Sequence, residues 1–220
     1  MQETSLCKQL SMQANNKIFI IGLPRTGTTS ICVALLNLGY KVAHTAYTQR
    51  CVENAQVIAD TPVFCDYQSL AQQYPQAKFI YLTRSLELWI PSIRQLLQRM
   101  HKNIVRRDGG FNPILKRCYQ KTFSPFDLSS FTSDEFLISC YKKHQQEVFT
   151  YFKKRQQDLL TINVSDNGAY AAMLEFLAIS ADEVNNLTCE QAGFEKINVG
   201  GKITAWNQIK SDLKVDSNLK

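Results

Sequence analysis

The pattern of apolar positions near the start of the chain predicts a buried strand, a tight turn and a helix, in that order. Residues 18–21 are consecutively apolar, which is typical of a strand that is covered on both faces. Ile31, Leu35 and Leu38 then recur at the spacing of one helix face, and Gly39 stands where a helix commonly ends. A strand that leads through a short turn into a helix is therefore expected.

Strand patterns and helical patterns continue to alternate along the chain. Further strands are predicted at residues 40–44, 78–83 and 158–164, and helices at about 48–59, 66–74, 86–106, 133–155 and 168–178. Strands that alternate with helices form a parallel sheet through right-handed crossovers. The predicted fold class is therefore α/β, a three-layer sandwich with a central parallel β-sheet flanked by helices.

Prolines and glycines interrupt this alternation in two places. Pro91 lies inside the apolar pattern of residues 86–106 and is expected either to kink the helix or to mark its true start. Residues 107–131 contain a Gly-Gly pair, two prolines and several aromatic residues, and are predicted to form a lid or acceptor-binding loop. The domain prediction is a flexible lead-in at 1–16, a single domain at 17–206 and a polar tail at 207–220.

The turn after the first strand carries a variant of a phosphate-binding motif. Gly22 and Gly27 have the spacing of the P-loop, G-x-x-x-x-G-K-[ST], but Thr28 replaces the lysine. Backbone N–H groups and the positive end of the next helix bind anions without any particular side chain, whereas the lysine reaches the β- and γ-phosphates. The sequence therefore predicts a P-loop NTPase-like fold that binds phosphate or sulfate and is poorly equipped for γ-phosphoryl transfer. Arg25, inside the loop, can bind two oxygens of one anion.

Composition and charge add limits to this picture. The 220 residues are 45% hydrophobic and 20% charged, which is ordinary for one globular domain. The net charge of +6 suits an anionic ligand or a merely basic surface, and no basic run is dense enough to indicate a nucleic-acid partner. No apolar run approaches the length of a membrane span. Seven cysteines without any C-x-x-C pair predict reduced thiols and a cytoplasmic location rather than a zinc site or a disulfide framework.

The loop and a downstream pair of residues resemble the sulfotransferases that use 3′-phosphoadenylyl sulfate (PAPS). The 5′-phosphosulfate loop of that family commonly reads P-[KR]-[ST]-G-[TS]-[TS], and this chain has Pro24, Arg25, Thr26, Gly27, Thr28 and Thr29. Arg84 and Ser92 have the separation at which the family binds the 3′-phosphate of the donor. The resemblance spans most of residues 17–206 and looks closest to a short, bacterial-type branch. Its matching segments are Asp60-Thr61-Pro62, residues 74–80 and Trp89.

The resemblance implies that a sulfuryl group passes from PAPS to a hydroxyl or amine of an unidentified small-molecule or glycan acceptor. Adenosine 3′,5′-bisphosphate would be the product, and no metal would be required. Residues 24–29 would hold the phosphosulfate, while Arg84 and Ser92 would hold the 3′-phosphate. Many family members close a glycine-bearing segment over the nucleotide. Gly200 and Lys202 correspond to that segment here, although an ordinary surface lysine explains Lys202 somewhat better.

Two residues are candidates for the general base that removes the proton of the acceptor. Asp60 is preferred because it lies at a break before Pro62 that faces the expected cleft, and the matching Asp of the related branch looks catalytic. A plain turn residue is the alternative for Asp60. His44, at the end of a predicted strand, has an unperturbed pKa that suits the same role. Arg25 is expected to stabilise the charge that develops on the bridging oxygen.

Two other functions stay open at the level of sequence. One is a small-molecule or nucleotide kinase with a degenerate P-loop, against which the absent lysine counts. The other is a catalytically inactive protein that keeps a nucleotide pocket. The sequence indicates neither the acceptor nor the oligomeric state. The aromatic residues of the predicted loop fit an apolar acceptor as well as core packing, and they are Phe111, Tyr119, Phe123 and Phe126.

Overall fold

The five strands found among the described residues form one parallel sheet with helices on both of its faces. The structure is a computed structural model that describes residues 17–180, 193–194 and 206–220. The strands are β1 (Ile18–Gly22), β2 (Val42–Ala43), β3 (Val57–Ile58), β4 (Lys78–Leu82) and β5 (Leu159–Ile162). The α-helices are α1 (Thr28–Asn37), α2 (Gln49–Asn54), α3 (Val63–Gln73), α4 (Leu86–Val105), α5 (Pro113–Thr122), α6 (Asp134–Phe152) and α7 (Ala169–Phe176). Short 3₁₀ turns lie at Ser130–Thr132, Gln156–Asp158 and Trp206–Gln208.

The strand order β2-β3-β1-β4-β5 puts β1 at the centre of the sheet. All the neighbouring strands pair in parallel. Because successive side chains of a strand point to opposite faces, β1 supplies both layers of the core. Ile18 and Ile20 pack toward the cluster that includes α1 and α7, and Phe19 and Ile21 pack toward the cluster that includes α3 and α6. The predicted three-layer α/β architecture with a central parallel sheet is confirmed.

The prediction of one helix over residues 48–59 is wrong in its second half. Helix α2 ends at Asn54, and Ala55 has extended backbone angles. Strand β3 follows at once and pairs on both sides, with β1 and with β2. A two-residue strand is too short to show an alternating pattern, so its Val and Ile could be assigned equally well to a helix face.

The segment predicted as a loop at residues 107–131 contains helix α5. The side chain of Asn112 accepts a hydrogen bond from the N–H of Ile114 at 2.9 Å, and Pro113 is the first helical residue. Asn at the N-cap and Pro at the first helical position are common at helix starts. The loop prediction rests on the Gly and Pro content of the whole segment, which outweighs this short helix signal. Tyr119 and Phe123 are buried against α4 and α6, which favours core packing for these two aromatics.

Two other features of the chain bear on the predictions. Helix α4 begins at Leu86 and runs continuously past Pro91, so Pro91 does not mark its start. The last residues lie along the free edge of β2, where Val42 exchanges backbone hydrogen bonds of 2.9 Å with Leu213 and Val215. The lead-in predicted at residues 1–16 lies outside the described residues. In the part of the chain that the structure describes, no helix is both long enough and apolar enough to cross a membrane.

Candidate active site

The loop between β1 and α1 has a geometry that only glycine permits at two positions. A Cβ on Gly22 would lie 2.6 Å from Thr26 Oγ1, and a Cβ on Gly27 would lie 2.6 Å from Val164 Cγ2. Gly27 also has a φ of 107°, in the left-handed region that side chains disfavour. The spacing of the two glycines therefore reflects close approach of the loop to its neighbours.

The loop presents the N-terminus of α1 at the carboxyl edge of the sheet. Thr28 is the first residue of the helix, so the N–H groups of its first turn have no acceptor within the helix, and the helix dipole is positive there. Thr26 is 1% exposed, and its hydroxyl donates to the Leu23 carbonyl at 2.8 Å. Thr26 thus fixes the turn, while the backbone N–H groups are the donors that an anion would meet.

Two arginines meet beside this loop. The Nη1 of Arg84, just after β4, donates to the carbonyl oxygen of Arg25 at 2.7 Å. The Nε of Arg25 donates to Ser92 Oγ on α4, also at 2.7 Å. Trp89 Nε1 donates to the Pro24 carbonyl at 3.0 Å and ties α4 to the loop. The structure therefore brings the predicted donor-binding residues of the loop, β4 and α4 together, with Ser92 bound to Arg25.

The two guanidinium groups make this part of the surface strongly positive. Burial lowers the pKa of Arg25, and the charges of Arg84 and Arg99 lower it further. Burial also lowers the pKa of Arg84. No carboxylate among the described residues forms an ion pair with Arg25 or Arg84. Two half-buried cations that form no ion pair with any described carboxylate, next to a helix N-terminus, favour an anionic ligand.

Asp60 lies at the same edge of the sheet, two residues beyond β3. Its φ is 47°, an unusual conformation for a residue other than glycine that often occurs at functional sites. Burial raises the pKa of Asp60 to about 6, although hydrogen bonds from Thr61 oppose this shift. Thr61 Oγ1 donates to Asp60 Oδ1 at 3.1 Å. The carboxyl group is therefore poised to exchange a proton near neutral pH.

His44 follows β2 and contacts both the loop and the C-terminal segment. Its Nε2 lies 3.2 Å from Thr29 Oγ1, and its ring lies 5.2 Å from that of Trp206, centroid to centroid. Burial lowers the pKa of His44 to about 4, and the charge of Lys214 acts in the same direction. The imidazole is therefore neutral near pH 7 and is available as a hydrogen-bond donor or acceptor.

The comparison with known protein families agrees with this geometry. The model of the sulfotransferase domain matches residues 17–50 and 44–188, which together contain the loop, Asp60, Arg84 and Ser92. The chain belongs to the sulfotransferase family. No curated protein matches the chain significantly. Membership of this family makes the protein a transferase that acts on sulfuryl groups.

Two of the predicted site residues of this sulfotransferase are not described by the structure, and three residues near the site are not predicted by the sequence. Gly200 and Lys202 lie outside the described residues. Trp206 and Lys214 lie beyond the matched region, and no motif in the sequence links either of them with His44. Tyr119 is buried, and its pKa responds to the charges of both Asp60 and Arg25. The helical spacing of residues 113–122 is the signal in the sequence that indicates an inward-facing Tyr119.

Proposed function

We propose that this sulfotransferase transfers the sulfuryl group of PAPS to a hydroxyl or amine of a small-molecule or glycan acceptor. The observation that carries the proposal is the contact between Arg25 and Arg84 beside the N-terminus of α1. A ligand with anionic groups at two positions would compensate both arginines at once. Adenosine 3′,5′-bisphosphate, the nucleotide left after transfer, has this property.

In this proposal the loop and α1 bind the phosphosulfate end of the donor. The N–H groups of the first turn of α1 supply donors, and the hydroxyls of Thr28 and Thr29 supplement them. Arg25 acts mainly in the transition state, where its guanidinium opposes the negative charge that develops on the bridging oxygen. These groups provide the electrostatic stabilisation, so the proposal requires no metal ion.

Arg84 and Ser92 are assigned to the 3′-phosphate of the donor. Ser92 Oγ accepts from Arg25 at 2.7 Å, and a hydroxyl that accepts one hydrogen bond can donate its own proton to a phosphate oxygen. The backbone at Arg84 is held firmly, because its N–H donates to the Tyr141 hydroxyl at 3.0 Å and its carbonyl accepts from the same hydroxyl at 3.2 Å. Gly200 and Lys202 stay additional candidates for contact with the nucleotide.

Asp60 is the proposed general base, with His44 as the alternative. An ideal base has a pKa near the pH at which the enzyme works. The pKa of Asp60, raised by burial to about 6, meets this condition better than that of His44, which burial lowers to about 4. In this assignment Asp60 accepts the acceptor's proton as the sulfuryl group arrives, and His44 helps to orient the Thr29 hydroxyl.

Calorimetric titration tests the proposed donor. The protein is titrated with adenosine 3′,5′-bisphosphate, adenosine 5′-monophosphate and ATP, each with a chelator and again with magnesium. We expect adenosine 3′,5′-bisphosphate to bind without magnesium and at least about tenfold more tightly than adenosine 5′-monophosphate. Binding of ATP with magnesium alone would favour a kinase and overturn the proposal. Binding without turnover, across a broad panel of hydroxyl and amine acceptors, would favour an inactive nucleotide-binding protein.

A further inference from the structure

Two cysteines that are far apart in the sequence come together where α3 packs against α5. Cys65 lies in the first turn of α3 and Cys118 lies in α5. Their Sγ atoms and a carboxylate oxygen of Asp66 all lie within 4.8 Å of one another. Because the two thiols come from different helices, the spacing of cysteines along the chain gave no sign of this pair.

The two thiols differ in their access to solvent. Cys65 is half-buried and lines a cavity of about 220 Å³ between α3, α5 and α6. Cys118 is 0% exposed and is not among the residues that line that cavity. Of the two thiols, Cys65 is therefore the one that a small solute in the cavity contacts.

The charges around the pair favour a thiolate on Cys65. A hydrogen bond from the Cys118 thiol lowers the pKa of Cys65, and the charges of Lys121 and Arg117 act in the same direction, against burial and Asp66. The same hydrogen bond, together with burial, raises the pKa of Cys118. Of the two thiols, Cys65 is therefore the one that ionises at lower pH, and the thiolate is the nucleophilic form of cysteine.

The contacts of Arg117 do not fit a metal site at this position. Its Nη1 and Nη2 donate to the two carboxylate oxygens of Asp66 at 2.9 and 2.5 Å, so that carboxylate is already neutralised. The same Nη1 lies 3.8 Å from Cys65 Sγ, where it stabilises a thiolate. The arrangement is that of a reactive thiol with a second thiol behind it and a fixed cation beside it.

We propose that Cys65 is a modification site for hydroperoxides, and that Cys118 resolves the oxidised sulfur as an intramolecular disulfide. In the first step the Cys65 thiolate attacks one peroxide oxygen, the O–O bond breaks, and an alkoxide or hydroxide leaves and takes up a proton. The sulfur is oxidised by two electrons to a sulfenic acid, and the peroxide is reduced. In the second step Cys118 loses its proton and attacks the Cys65 sulfur, the S–O bond breaks, and water leaves. Two thiols and one hydroperoxide yield one disulfide, one alcohol or water, and one water.

The disulfide would join two helices whose neighbouring residues already pack together. Phe64 and Tyr119, each adjacent to one of the cysteines, meet edge to face at a centroid distance of 5.7 Å. The N–H of Phe64 also donates to the Asp60 carbonyl at 3.1 Å. The start of α3, which carries Cys65, is therefore hydrogen-bonded to the backbone of Asp60.

Peptide mapping after peroxide treatment tests the proposal. The reduced full chain is exposed to equimolar hydrogen peroxide with a chelator, and free thiols are then blocked and the peptides identified by mass spectrometry. We expect the linked peptides of Cys65 and Cys118 as the main product. In Cys118→Ser, Cys65 is expected to stop at the sulfenic acid, which dimedone traps. The control Cys140→Ser removes a thiol that lines the same cavity, and it is expected to react like the unaltered protein.

A second measurement needs no variant and so does not depend on how the variants fold. The rates at which iodoacetamide alkylates Cys65 and Cys140 are compared in the unaltered protein. Because burial raises the pKa of Cys140, we expect Cys65 to react at least about tenfold faster. Equal rates, or a main disulfide between any other two cysteines, would overturn the proposal.

Discussion

The pH dependence of turnover distinguishes Asp60 from His44 as the general base. Burial raises the pKa of Asp60 to about 6 and lowers that of His44 to about 4. Since kcat/KM follows the basic fraction of this group in the free enzyme, the basic fraction of Asp60 would be about 91% at pH 7 and about 9% at pH 5. We therefore expect kcat/KM to fall about tenfold over this interval. With His44 as the base, the same interval would change kcat/KM by only about 10%.

Replacing Asp60 by Asn tests the same assignment directly. The variant keeps the size of the side chain and removes its basicity, so we expect turnover to fall by about 10²- to 10⁴-fold and the inflection near pH 6 to disappear. Affinity for adenosine 3′,5′-bisphosphate is expected to stay unchanged. The control Asp108→Asn removes an exposed carboxylate that lies 3.6 Å from Arg106, and it should leave the pH profile intact.

The assay uses initial rates of sulfuryl transfer from PAPS to an alcohol acceptor, found by screening, that does not itself titrate between pH 4 and pH 8. An inflection near pH 4 that persists in Asp60→Asn would refute Asp60 as the base. If His44→Gln then removed that inflection, the role would pass to His44.

Asp60, Gly27 and Arg25 are each open to a separate test by substitution. The Asp60→Asn variant should be more stable than the unaltered protein at pH 7, by at most about 3 kcal/mol. The reason is that a carboxyl group whose pKa is raised in the folded state opposes folding above about pH 6. Denaturant titrations should show the difference in midpoint shrinking as the pH falls from 6 toward 4. Gly27→Ala should abolish nucleotide binding in calorimetry because the new Cβ would overlap Val164. The control Gly39→Ala has a φ of 85° and nothing within 4 Å of its Cβ, so it should keep binding despite similar backbone strain. Arg25→Ala should reduce kcat more than it reduces affinity for the bisphosphate, and an equal loss of affinity with unchanged kcat would contradict its transition-state role.

Local signals predicted the central part of the molecule. The apolar run of β1, the two glycines and the helical spacing of α1 each concern neighbouring residues, and all three agree with one another. The predicted parallel sheet brings the carboxyl ends of β1, β2 and β4 to one edge, so the place of Arg25, His44 and Arg84 at that edge could be expected from topology alone. Asp60 follows β3, which the sequence did not indicate as a strand.

Contacts between distant segments could not be predicted in the same way. Pairing with both neighbours makes β3 a strand, although two residues show no period of their own. The hydrogen bond of Ser92 to Arg25 depends on how α4 crosses the loop, which the separation of Arg84 and Ser92 does not specify. The contact of Trp206 with His44 depends on where the last residues cross the sheet edge. Each of these features is set by tertiary packing.

The central claim is that the loop and Arg84 hold two ends of one bisphosphorylated nucleotide. The most direct measurement is the affinity of the unaltered protein and of Arg84→Ala for adenosine 3′,5′-bisphosphate and for adenosine 5′-monophosphate. Losing a charged hydrogen bond to the 3′-phosphate should weaken bisphosphate binding by about 2–3 kcal/mol, or about 30- to 150-fold, and leave monophosphate binding within about twofold. The control Arg107→Ala, an exposed arginine beyond α4, should change neither affinity. Equal losses for both nucleotides in Arg84→Ala would contradict the claim.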